Sequence, residues 1–123
     1  MTETNVERAR RGYEAVLSGD FDVVRDFLDP DVTWHGGDPS DPGSCHNREQ
    51  ALEFMRQARG RRGIGELVDV VDAGEKVVFI LRPPAEEGDQ PPLIANLTTF
   101  RDGRAIEMVH YDSPEDALAA ARS

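Results

Sequence analysis

Apolar residues recur at helical spacing in the first half of the chain and in strand-like runs in the second. Val6, Ala9, Tyr13, Val16 and Leu17 lie three and four residues apart, which predicts a helix over Val6–Ser18 with one apolar stripe. Gly19 is placed to end that helix, and Asp20 to cap a shorter one. The second helix would carry Phe21, Val24, Phe27 and Leu28 on its inner side and close at Pro30. "DVTWH" reads as a short strand over Asp31–His35, and the "GGDPSDPGS" that follows as a loop. A third helix is predicted over about Asn47–Arg59, with Leu52, Phe54, Met55 and Ala58 apolar. Asn47 is its N-cap and Gln50 completes a capping box.

The period then changes. "ELVDVVD" and "KVVFILRP" are β-branched runs joined by "AGE", a hairpin pattern. "PAEEGDQPP" reads as a loop, because its prolines supply no ladder donors. "LIANLTTF" and "RAIEMVHY" flank "RDG", and Asp-Gly is a strong hairpin signal. Ser113, with Pro114 at the first helical position and Asp116 three residues on, predicts a short last helix.

Helices gathered first and strands after imply an α+β fold, one domain over residues 1–123. The expected form is a curved antiparallel sheet with helices packed on one face, leaving a cone that encloses a pocket. Alternation puts Ile94, Asn96, Thr98 and Phe100 on one face of their strand, and Met108, His110 and Asp112 on one face of the next. Tyr111 then points the other way. Asn, Thr, His and Asp interleaved with Ile and Met describe a mixed wall suited to a hydrophobic small molecule. Trp34 offers such a ligand a flat surface, and Tyr13 and Phe54 grade between core and pocket lining. Capping of the last helix is the competing reading for Asp112, and a satisfied structural role the competing one for His110 and Asn96.

Charge and composition narrow the partners. A net charge of -10 argues against a nucleic-acid-binding surface. The local run Arg56, Arg59, Arg61 and Arg62 reads as cations at a helix C-terminus. No stretch approaches the roughly 18 apolar residues of a membrane span, and the opening residues lack the apolar core of a secretory signal. The single cysteine, Cys45, suits a reducing cytoplasm and reads as a small structural residue. The three histidines lie in separate segments without metal-ligand spacing, and no phosphate loop or nucleophile elbow is present, so neither metal nor cofactor is expected. "LVDVV" and "VVFIL" are apolar on both faces, which predicts a homodimer through the sheet's outer face.

The succession "YEAVLSGDFDVVRDFLDPDVTWHG", "CHNREQALEFMRQA" and "LIANLTTFRDGRAIEMVHYDSPEDAL" resembles the NTF2-like superfamily, in its SnoaL-like and ketosteroid-isomerase-like branch. The resemblance covers nearly the whole chain and implies a cone-shaped fold and a small-molecule site. Steroid isomerases of this branch place a general-base Asp where this chain has Gly36, and an oxyanion-donating Tyr where it has Gly12, one residue before Tyr13. Their second donor matches Asn96, whose amide can still hold an oxyanion. That comparison argues against steroid isomerisation by their mechanism. SnoaL-like cyclases carry an acidic residue at the place of Asp112, where it serves as acid/base. The resemblance thus implies a cofactor-independent isomerase, cyclase or dehydratase acting on a hydrophobic carbonyl compound, with Asp112 moving the proton, His110 tuning it and Asn96 steadying the oxyanion. A carboxylate inside an apolar cone would have its pKa raised. The alternative is a non-catalytic ligand-binding or dimerisation domain of the same fold.

Overall fold

The chain folds as α1 (Asn5–Ser18), α2 (Phe21–Phe27), β1 (Leu28–His35), α3 (Arg48–Arg61), β2 (Glu66–Ala73), β3 (Lys76–Arg82), β4 (Ile94–Arg101), β5 (Arg104–Tyr111) and α4 (Pro114–Ala121). The computed structural model describes residues 4–37, 40–61, 65–83 and 92–122. The expected loop after β3 and Arg62 of the basic run therefore fall largely or wholly outside the described residues.

Local chemistry sets most boundaries. Thr4 caps α1 through a reciprocal box with Glu7, and Gly19 ends the helix at φ 80°. The Asp20 side chain accepts from the backbone N–H of Val23 to start α2. At α3 the Asn47 side chain accepts from Gln50 N at 2.9 Å. The Gln50 side chain reaches one residue further back than a capping box requires and takes the N–H of His46 at 2.7 Å. Arg25 on α2 pairs with both carboxylate oxygens of Glu49 on α3, at 2.6 and 3.0 Å, tying the two helices side by side. Pro30 does not close α2 as expected; the helix stops at Phe27 and Pro30 lies within β1. β1 is an edge strand, where a residue without an N–H is tolerated.

The sheet is mixed, in the order β1-β5-β4-β3-β2. The two hairpins form as the sequence predicts. Asp102 and Gly103 sit at φ 54° and 80°, so the β4–β5 turn has the positive φ angles that match strand twist. The expectation of a wholly antiparallel sheet needs correction, because β1 runs parallel to β5. With α3 between them, β1 cannot pair with β2 through a tight turn; it docks instead beside the last strand, with Trp34 opposite Met108. Register shifts in β1, β2 and β4 bend the sheet.

α1, α2 and α3 pack on the inner face around Ala9, Tyr13, Val16, Val24, Phe27 and Leu52. α4 does not join them. It lies on the opposite face, where Ala117 packs with Val78, Ala95 and Leu97. The helices expected on one face are thus the first three, and α4 is an addition on the other. The central outward residues of β3 and β4, Val78, Ile80, Ala95 and Leu97, are apolar, and the chain's own last helix packs against them.

Candidate functional site

Between the inner helices and the sheet lies a cavity of about 90 Å³. Its walls come from Gly12, Tyr13 and Val16 of α1, Val24 and Phe27 of α2, Trp34 of β1, Met55 of α3, and Phe79, Leu81, Asn96, Thr98 and Met108 of the sheet. Alternation delivers the sheet residues: Asn96, Thr98 and Met108 face inward while Ala95 and Leu97 face out.

Polar function in this cavity rests on few atoms. The fully buried Thr98 hydroxyl donates to Asn96 Oδ1 at 2.7 Å, which leaves the Asn96 NH₂ group as a donor for a ligand oxygen. The Tyr13 hydroxyl is already committed, donating to the carbonyl of Gly65. Burial, helped by the charge of Glu66, pushes the Tyr13 pKa up to about 12. Tyr13 therefore contributes its ring to the wall, with the hydroxyl proton held elsewhere. Among the described residues no carboxylate, imidazole, amine or thiol lines this cavity.

Gly12 sets the cavity's depth. A Cβ added there would stand 2.9 Å from the Phe27 ring, which packs edge-on against Phe100 at 5.5 Å between centroids. Gly12→Ala is expected to cost about 1–3 kcal/mol by overpacking. Urea unfolding checks this; a variant as stable as the parent would mean that Phe27 yields freely.

A second cleft of about 90 Å³ opens at the rim beside the first. Trp34, His35, Gly36, Gly43, Cys45, Phe54 and His110 line it. The loop after β1 reaches this rim because Cys45 hydrogen-bonds back to Trp34 through both backbone groups, at 2.8 and 2.9 Å. That pairing satisfies part of the free edge of β1 and buries Cys45. Burial raises the thiol's pKa, so Cys45 is held protonated and is not an activated nucleophile. His35 accepts the N–H of Gly37 at Nδ1 and turns Nε2 toward Glu107, at 3.4 Å. Both of its nitrogens are thereby occupied.

His110 is arranged differently. Its Nε2 lies 2.9 Å from Asp112 Oδ1. In a neutral ring, with the carboxylate accepting, Nε2 carries the proton and Nδ1 a lone pair. The His110 ring lines the rim cleft, and its direct cross-strand partner is Asn96, which lines the inner cavity.

The residues expected from sequence thus divide among three places. Asn96, Thr98, Met108 and Tyr13 surround the inner cavity, and Trp34 faces both spaces. Phe54 and His110 belong to the rim. Asp112 lines neither: its side chain is 97% exposed, which corrects the expectation of a carboxylate enclosed in the apolar cone. β5 ends at Tyr111, so strand alternation no longer directs the residue beyond it. Ser113 makes no side-chain cap bond to α4, contrary to expectation, and Asp112 is engaged by His110. The sequence reading missed the rim contributions of His35, Gly43 and Cys45. The only local signal was the Gly/Pro-rich loop, and its pairing with Trp34 is not local information. No group of three or more metal-capable side chains occurs among the described residues.

Comparison with known proteins agrees with this architecture. Residues 9–108 match the SnoaL-like domain, and the chain belongs to that family, with the NTF2-like fold. Bal32a, from a soil-derived mobile gene cassette, is 25% identical with a TM-score of 0.74, over 96% of this chain and 94% of its own. A candidate polyketide cyclase from Sinorhizobium meliloti is 14% identical with a TM-score of 0.69, over 85% of this chain and 93% of that one. An NTF2-like protein of unknown function from Cytophaga hutchinsonii is 14% identical with a TM-score of 0.71, covering 96% and 97%. No curated protein matches the chain.

Proposed function

We propose that the protein binds a small hydrophobic carbonyl compound in the inner cavity, with the carbonyl oxygen accepting from the Asn96 amide. The observation behind this reading is a wall of apolar side chains in which Thr98 holds Asn96 by its oxygen and frees its NH₂. Titration with short ketones such as butanone, followed through Trp34 emission, tests it directly, because Trp34 is the one tryptophan of the chain and lines the cavity. Asn96→Leu is expected to weaken ketone binding by about tenfold, one charge-free hydrogen bond, while leaving an alkane of equal size unaffected. Equal loss for both ligands would remove the amide from recognition.

An isomerase, cyclase or dehydratase step on such a ligand needs a base. In this reading His110 is the base, acting through Nδ1. Asp112 is a positioning residue that fixes the tautomer from outside the cavity, the reverse of the roles expected from sequence. Removal of a proton α to the carbonyl would leave an enolate oxygen on Asn96. Wild-type protein should then speed α-hydrogen exchange of a bound ketone in D₂O above the buffer rate, and His110→Gln should return it to that rate. Exchange no faster than buffer would leave the non-catalytic binding module. That second reading is favoured by the lack of any carboxylate or imidazole among the described residues lining the inner cavity.

A cytoplasmic setting belongs to the proposal, on the lone buried thiol of Cys45. So does a homodimer through the sheet, on the part of the outer face that α4 leaves open. Light scattering at micromolar concentration decides the latter; a monomer there removes it.

A further inference from the structure

The inner cavity and the rim cleft are each about 90 Å³. Ligand sites usually enclose about 300–1,000 Å³, and even benzene occupies engineered cavities of about 150 Å³. Neither space alone takes more than a fragment. Two observations join them. Trp34 forms a wall of both, and it meets Phe54 edge-on at 4.6 Å between centroids. Asn96 and His110, one in each space, are direct cross-strand partners on the same face, which places such side chains about 5 Å apart at Cβ.

We propose that the two spaces are compartments of one ligand site, and that Trp34 and Phe54 are the partition between them. Phe54 is 46% exposed, so little packing holds its ring against Trp34. The ligand class follows from the lining. It is a neutral, elongated molecule with two apolar arms joined at an oxygen-bearing centre. One arm fills the inner compartment against Phe27, Phe79 and Met108, and the other lies at the rim beneath Phe54. The oxygen sits at the junction, within reach of both Asn96 and His110. This rests on the binding reading above and adds to it the length of the ligand and the place of its polar group.

The test compares two probes, butanone, which fits the inner compartment alone, and 4-phenyl-2-butanone, which spans both. Gly36 lines the rim and not the inner cavity, and a Cβ built there meets nothing within 4 Å, so Gly36→Val adds bulk at the rim without a clash at the Cβ. Gly43→Val is the second variant, its Cβ meeting only the Asp41 carboxylate at an ordinary 3.7 Å. Wild-type protein is expected to bind the longer probe at least tenfold more tightly than butanone. Each variant should remove that advantage while leaving butanone affinity unchanged. If butanone binds but the longer probe gains nothing, or keeps its gain in both variants, the composite site is overturned and the inner-cavity reading stands. If butanone itself fails to bind while the longer probe binds wild-type protein, the inner-cavity reading fails alone. Failure of both probes overturns the two together.

Discussion

Phe27→Ala is expected to lower the unfolding free energy by about 3–5 kcal/mol, the largest effect of any single substitution considered for this chain. Phe27 is buried where α2 gives way to β1, set edge-on against Phe100, with its ring 2.9 Å from where a Cβ on Gly12 would stand. Its truncation removes apolar contacts and leaves a void continuous with the inner cavity, which that ring already lines. The two consequences have opposite signs toward ligands. The free protein is weakened, yet the enlarged cavity should take a cyclic ketone more tightly than the parent does, and saturating ligand should restore part of the loss by mass action. Urea unfolding with and without cyclohexanone reads both terms. A loss under about 1 kcal/mol would show that the helices collapse onto the vacancy, and no rescue by ligand would show the same.

The second large effect is alkaline. Tyr13 has a pKa of about 12 in the folded chain, against 10.0 as its ordinary value, chiefly because burial disfavours the phenolate. The folded state therefore holds the proton that the unfolded chain gives up first. The resulting stability is fully present below pH 10 and is lost as pH rises from 10 toward 12, by about 2 kcal/mol in all. Tyr13→Phe supplies the reference. It loses the hydrogen bond to Gly65 at every pH, at a cost of about 1 kcal/mol, and lacks the alkaline fall. Parallel unfolding curves at pH 8, 10 and 11 should show the parent's advantage shrinking and then reversing. A constant difference between the two proteins would mean that Tyr13 ionises without disturbing its surroundings.

Much of the scaffold was legible because its signals are local. Gly19 and Asp20 punctuate the first helices, and Asp102–Gly103 forces the β4–β5 turn. Alternation along β4 identified Asn96 and Thr98 as inward-facing. The same rule misplaced Asp112, since a face assigned by alternation persists only as long as the strand, and β5 stops one residue earlier. Parallel pairing of β1 with β5 was not legible either. No turn links them, and the register that sets Trp34 beside Met108 depends on how α3 packs. The outer position of α4 escaped for a related reason. Its small residues, Ala117 and the alanines after it, fit either face of a sheet, and only the apolar outward set of β3 and β4 selects one. The rim cleft was hidden altogether, because it is made by a loop folding back on a strand edge.

The parallel pairing also has a kinetic side. β2 with β3, and β4 with β5, are consecutive antiparallel pairs that can zip together from local turns. Among the described strands β1 pairs with β5 alone, which enters near the far end of the chain, so its docking must close a very long loop. The wall that Trp34 and Met108 form together can therefore exist only after nearly all the rest has been made and ordered. Capacity to bind should appear last in folding, in step with the change in environment of the single tryptophan, and not with the earlier gain of secondary structure.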